Sequence, residues 1–296
     1  MTIQLASLTD TDIAAERARF PRLYSASVAE RARAWLAWGS ITALTVYCLY
    51  HFGFLTRDFP HGVSKFAATV VAQLFPPKGF EQLPLFLKVM GETIAMAFLG
   101  TLMGTVVAFP LSFFAAKNMT RSRPLQFGTR RFADLLRSFD YLIWALIFVR
   151  AIGLGPLAGI MAIAIVETGT FIKLYSEAIE NLDRKQIDGI NAAGGNGLQR
   201  IGFGVLPQVL PMMLSNTLYM FEHNVRSASI LGIVGAGGIG FLLADRLRAY
   251  ELQEACLIII VLIVAVYAID YLSKLLRERL IGDQRRRQPV DDAVQV

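Results

Sequence analysis

Cysteine is nearly absent: only Cys48 and Cys256 carry thiols in 296 residues, far apart and each inside an apolar run. That excludes a disulfide framework or a cysteine-built metal centre and leaves both as small buried hydrophobes. Histidine numbers three, with no H-E-x-x-H pair to hold zinc. The chain also lacks a G-x-x-x-x-G-K-[ST] phosphate loop and a serine elbow, so it carries no machinery for hydrolysing a nucleotide or attacking a substrate. No catalytic residue, metal or cofactor is expected, and any ATP-driven work must come from another polypeptide. The first 34 residues are polar and arginine-rich, without the short apolar core of a cleavable signal peptide. Ten-residue stretches of alternating hydrophobicity are missing, which excludes a membrane barrel. No internal repeat is evident, which weighs against a secondary transporter.

What the chain has in abundance is clustered apolar sequence. It is 54% hydrophobic and 18% charged, with several windows of the roughly 20 residues that span a hydrocarbon core as a helix. The reading is an all-α polytopic membrane protein with about six transmembrane helices. Residues 1–34 form a cytoplasmic basic amphipathic leader, drawn to anionic lipid. Residues 35–90 hold the first transmembrane helix (about 34–54, opened by Trp35 and Trp38) and an external loop with an amphipathic piece at 66–75. Residues 91–275 form a transmembrane core, and 276–296 a cytoplasmic basic tail. Within the core, spans fall at about 92–116, 132–151, 157–175, 207–230 and 252–272. The first of these carries Gly100-Thr101-Leu102-Met103-Gly104, a small-xxx-small pattern that lets helices approach closely. Arg137 and Asp140 lie in the next span as an expected i,i+3 ion pair, and Glu167 follows as a buried hydrogen-bonded group.

Charge placement orients the chain. With the N-terminus inside, twenty of the 29 Lys and Arg fall in inner segments and eight in outer ones, Arg137 lying within a span. That bias puts both termini in the cytoplasm. It places the net charge of +6 at a membrane face rather than on nucleic acid.

The longest polar interruption in the second half is 183–200, closed by Leu206-Pro207. It reads as folded. Asp183 caps a helix, with Gln186 three residues on in a capping-box pattern. Gly194-Gly195 ends that helix. Asn196 and Gln199 start a second short helix, which Pro207 limits. Ile187, Ile190, Leu198 and Ile201 offer apolar contacts at the corner. Two capped helices on the cytoplasmic side make a docking knob for a partner protein, residues 183–207.

A complete G-x-G-x-x-G follows an apolar run at Gly235-Ala236-Gly237-Gly238-Ile239-Gly240. A dinucleotide fold would also need a βαβ unit and an acid about 20 residues on. Glu251 and Glu254 fall near that distance, but residues 256–269 form a membrane-length apolar run. Glycine here suits a broken helix beside a cavity. Just before it lie Glu222, His223, Asn224, Arg226 and Ser227 on the fifth span. Ionisable groups in a span face a pathway or a partner. Arg226 could grip an oxyanion in fork geometry or pair with Glu222 at i,i+4.

Asp188-Gly189-Ile190-Asn191-Ala192-Ala193-Gly194, with Leu206-Pro207 at the expected distance, resembles the EAA loop of ABC-importer permeases. The pattern there is E-A-A, three residues, G, then about a dozen residues to L-P; Asp188, Gly189 and Ile190 depart from it. Within that family the chain resembles the phosphonate permease branch. The residues that carry this are Glu92-Thr93, Gly202-Phe203-Gly204-Val205-Leu206-Pro207-Gln208, Asn224-Val225-Arg226-Ser227, and Leu231 through Gly240.

The resemblance implies a type I importer permease fold in a bacterial inner membrane. It implies two ATP-binding subunits, a second permease copy as a homodimer, and an external substrate-binding protein. Asp188, Gly189, Ala192, Ala193, Gly194, Leu206 and Pro207 would couple to the ATPase. Glu222, Asn224, Arg226, Ser227, Gly235, Gly237 and Gly238 would line the translocation pathway. The substrate implied is phosphonate, phosphate or phosphite, the alternative being a methionine, osmolyte or sulfonate importer.

Overall fold

The computed structural model describes residues 28–54, 58–120 and 122–287, and every described element is helical. The leader expected at 1–34 therefore lies mostly outside the described residues. The chain divides into two compact units, Met1–Ala72 and Gln73–Val296. In the first, α1 (Val28–His51) presents Trp35, Trp38, Tyr47 and Tyr50 at its surface. It is long enough to cross a bilayer but is not among the four described helices that are also apolar enough. Its aromatic and hydroxyl residues dilute it; tryptophan and tyrosine prefer the interface. The piece expected at 66–75 belongs to a longer helix, α2 (Asp58–Leu74).

The second unit begins with a 3₁₀ turn at Phe80–Gln82 and α3 (Leu83–Ala115). That helix starts about nine residues before the expected 92, because Pro84 sits in its first turn, where its missing N–H costs nothing. Its partner is α6 (Pro156–Glu180). The glycine pattern makes this contact. A Cβ at Gly100 would stand 2.7 Å from the Ile163 side chain, and one at Gly104 2.7 Å from Glu167 Cβ. In lipid, where apolar burial drives little helix association, such close packing is what holds helices together.

The span expected at 132–151 is broken at 137–140. Its first five residues end the amphipathic α4 (Arg123–Leu136), and α5 (Tyr141–Ile152) supplies the rest beyond the break. Twelve residues of α5 rise about 18 Å, too short to cross alone. The break follows from Arg137-Ser138-Phe139-Asp140. Ser138 Oγ donates to the Leu135 carbonyl at 2.8 Å, and Trp144 Nε1 donates back across the break to the Leu136 carbonyl at 3.2 Å. These side chains satisfy carbonyls that helix continuation would have taken. Arg137 pairs with Asp134 at 2.8 Å rather than with the expected Asp140, whose extended backbone opens α5 instead.

Next come α7 (Arg184–Ala192), α8 (Gly197–Gln199), a π-helical turn at Arg200–Val205, and α9 (Leu206–Leu231). After a glycine corner follow α10 (Gly238–Arg248) and α11 (Leu252–Arg287). Two apolar clusters fill the bundle. One gathers Phe86, Met96, Ile163, Val225, Leu231 and Ile258, and the other Ala108, Phe171, Tyr175, Ile179, Val205 and Met213. Between them in register along α3, α6 and α9 lies a thin polar layer of Thr101, Glu167 and Asn224, all buried.

Candidate functional site

The knob is built by its caps. Asp183 accepts from the Lys185 N–H at 3.0 Å, while the reciprocal box closes only at Asn196 and Gln199, among the described residues. There the Gln199 N–H donates to Asn196 Oδ1 at 2.9 Å and the Asn196 N–H to Gln199 Oε1 at 2.8 Å. Gly194 turns the chain with φ +78°, and the Gly195 N–H donates to the Ile190 carbonyl at 2.9 Å. Ile187 and Ile190 turn inward over Gly204, where a Cβ would meet them at 3.4 and 3.0 Å. Leu198, expected in the same contact, instead stands 80% exposed, with Phe203 at 73%. Asp188, Gly189, Ala192, Ala193 and Gly194 are exposed beside them. The knob thus offers a surface of small and apolar groups.

Pro207 does not stop the second helix. Gly197 to Val234 forms one 38-residue rod. Proline in a helix lacks the N–H for its i−4 carbonyl and crowds it. The π-helical turn at Arg200–Val205 widens the backbone just before that position, so the helix continues. Leu206 is half-buried and Pro207 exposed at this junction. Gln208 Nε2 donates to the Gly204 carbonyl at 2.7 Å and reaches the Asp183 carbonyl at 3.4 Å. This ties the first cap of the knob to the base of α9.

Further along α9, Arg226 meets Glu222 at 2.7 Å and both carboxylate oxygens of Asp270 at 3.1 Å. Arg277 donates to the other Glu222 oxygen at 3.0 Å and lies over the Tyr219 ring. Two acids and two arginines therefore lace α9 to α11. The Arg226 side chain remains 48% exposed. Asn224, one residue from His223, points the other way into the polar layer, and Ser227 is half-buried. Asp270 was not singled out in the sequence, although a carboxylate inside an apolar run such as 252–272 is itself a flag, and Arg277, counted there only as a basic residue of the tail, lies on α11.

The glycine motif forms a corner and not a phosphate loop. No strand precedes it. Gly235, Gly237 and Gly238 have φ of +97°, +82° and +73°. A Cβ at Gly240 would fall 1.7 Å from the Ser229 carbonyl oxygen, and one at Gly237 3.1 Å from Pro156. The Ile239 N–H is taken by Thr93 Oγ1 at 2.8 Å. The corner thus packs against α3 and the start of α6. Glu251 and Glu254 pair with Arg246 in the last turn of α10.

The chain is similar to known proteins. A family model described as "Binding-protein-dependent transport system inner membrane component" matches residues 108–286. The phosphite transport system permease protein PtxC of Stutzerimonas stutzeri is 36% identical over 212 residues, covering 71% of this chain and 76% of that protein. The phosphate-import permease protein PhnE of Mycolicibacterium smegmatis is 38% identical over 190 residues, covering 64% of this chain and 36% of that one. Among solved structures, an inward-facing MetNI methionine ABC transporter matches with a TM-score of 0.61 at 20% identity, over 69% of this chain and 99% of the other. That last likeness concerns the fold.

Proposed function

This chain belongs to the family of binding-protein-dependent transport system inner membrane components, and from that premise we propose that it is the permease of an ATP-driven importer for a phosphorus oxyanion. Phosphonate, phosphite and phosphate are the substrate candidates, since relatives at 36–38% identity bear the names of phosphite and phosphate permeases. The observation that carries the reading is the knob: two capped helices with exposed Ala192, Ala193, Leu198 and Phe203, joined through Gln208 to the rod that crosses the bundle. An ATP-binding subunit seated on that surface moves the rod when it closes on ATP. In this reading the assembly has two ATP-binding subunits, two copies of this chain and an external binding protein. Both termini lie in the cytoplasm in this reading, which rests on a bias of basic residues that persists when Arg226 and Arg277, tallied to opposite faces but joined here through Glu222, are set aside.

The charged cluster fits a substrate path. Glu222, Arg226, Asp270 and Arg277 sit on helices that span lipid, and exposed ionisable groups there face a water-filled path or another copy. An incoming oxyanion competes with Asp270 for the Arg226 guanidinium, whose planar fork suits two anionic oxygens.

Reconstitution tests the reading. Liposomes holding this chain, its ATP-binding partner and the binding protein are expected to take up labelled phosphonate, phosphite or phosphate only with ATP inside. Uptake that continues without the ATP-binding partner would sink it.

A further inference from the structure

Glu167 is a side chain that transport leaves unexplained. It is 0% exposed near the centre of α6, with its Cβ packed where Gly104 of α3 leaves room. Oε1 accepts from the Tyr141 hydroxyl at 2.7 Å, and Oε2 has no partner. Asn224 of α9, also 0% exposed, reaches the same stretch of α3, its Thr101 contact lying one turn from the Gly104 on which Glu167 packs. Asn224 Nδ2 donates to Thr101 Oγ1 at 3.0 Å, and Thr101 Oγ1 donates to the Ala97 carbonyl at 2.6 Å. Asn224 Oδ1, like Glu167 Oε2, is left without a donor.

Two unpartnered acceptors on neighbouring buried side chains are what such networks avoid, since nearly all buried polar groups find partners. An ionised carboxylate would also be a buried charge with no ion-pair partner among the described residues. The titratable neighbours are Tyr141 at the start of α5, with Asp140 beside it, Tyr175 further along α6, and His223 on α9, which is exposed and lies beside the Tyr141 ring at 6.2 Å. From α3, Gly104 packs against the Glu167 Cβ and Thr101 accepts from Asn224. One hydrogen removes both defects.

We propose that Glu167 is held as the neutral acid, with its Oε2–H donating to Asn224 Oδ1. A single donor sequence then runs from Tyr141 through Glu167, Asn224 and Thr101 to the Ala97 carbonyl, joining α5, α6, α9 and α3. Glu167 is thus a positioning residue: it fixes the inner end of the half-length α5 to the bundle and carries no charge while the helices move. This assignment does not depend on the transport reading, and its test needs neither substrate nor ATP.

Infrared difference spectroscopy on the purified chain in lipid reads the proton directly. The wild type is expected to show the C=O stretch of a buried carboxylic acid from mildly acidic to mildly alkaline buffer, and Glu167→Gln to lack it. Glutamine presents the same acceptor to Tyr141 and a donor to Asn224, so Glu167→Gln is expected to keep the wild-type melting midpoint and uptake. Glu167→Leu, which offers neither, is expected to melt several degrees lower. Absence of the band in the wild type overturns the proposal, as does its persistence in Glu167→Gln. So does a Glu167→Gln protein that melts as low as Glu167→Leu, because an ionised carboxylate held by a rotated Asn224 amide would behave that way. Should Glu167→Gln not be recoverable, Asn224→Ala decides: the band is expected to shift when its acceptor is removed, and an unshifted band overturns the assignment.

Discussion

Gln208 Nε2 reaches the carbonyl oxygen of Asp183 at 3.4 Å, 25 residues earlier in the chain, while holding the Gly204 carbonyl at 2.7 Å. One amide thereby bridges the residue that opens the knob and the rod that leaves it. Gln208→Leu is expected to keep folding and insertion but to loosen this joint. Losing a neutral hydrogen bond removes about 1 kcal/mol, or roughly a fivefold effect. Uptake per ATP hydrolysed, measured in liposomes, is expected to fall by about that factor while the ATPase rate holds. An unchanged ratio would detach Gln208 from coupling.

The exposed face of α7 makes a different prediction. Asp188 projects from the knob and has no ion pair among the described residues. Asp188→Arg is expected to leave the permease stable in the membrane and to abolish co-purification of the ATP-binding subunit. Gly194→Pro attacks the same surface through its shape, because φ +78° is closed to proline. Retention of the ATPase by both variants argues that docking lies elsewhere.

Arg226 and Asp270 give opposed expectations. Arg226→Ala removes the cation and is expected to reduce oxyanion uptake more than tenfold with assembly intact. Asp270→Asn leaves Arg226 with Glu222 alone and is expected to lower the KM for the anion. Steady-state uptake against substrate concentration separates the two, and identical losses in both variants would mark the cluster as a purely structural tie.

Close packing of α3 on α6 predicts the cost of bulk. At Gly104 a new Cβ meets Glu167 Cβ at 2.7 Å, a distance backbone must move to relieve. Gly104→Val is expected to destabilise the bundle by about 1–3 kcal/mol, the usual range for overpacking. Thermal melting in detergent should show it, while Gly189→Ala, with nothing within 4 Å, should not.

Much of this architecture was legible in the residues, and the misses share a cause. Caps and glycines act over three or four positions, so Asn196-Gln199 and Gly194 could be read from the sequence. The rod through Pro207 could not, because a wide π turn upstream leaves no compositional mark. The break at 137–140 showed as polar residues inside a span, yet its closure depends on Trp144 reaching back to Leu136. The ties of Arg226 to Asp270 and of Asn224 to Thr101 bridge 44 and 123 residues, beyond any local pattern. The glycine corner shows the same limit: a motif shared with phosphate loops is packed here against Pro156 and Thr93.

The interruption between α4 and α5 has a mechanical meaning. At one end, α4 is anchored by Arg130 to the Ala115 carbonyl and to Glu180. At the far end, the turn after α5 is fastened to the corner by the Gly155 N–H on the Gly235 carbonyl at 3.1 Å. Between the two anchors there is no continuous helical backbone to carry bending. One segment is thus held by α3 and α6 and the other by the glycine corner, a jointed strut beside neighbours built as beams.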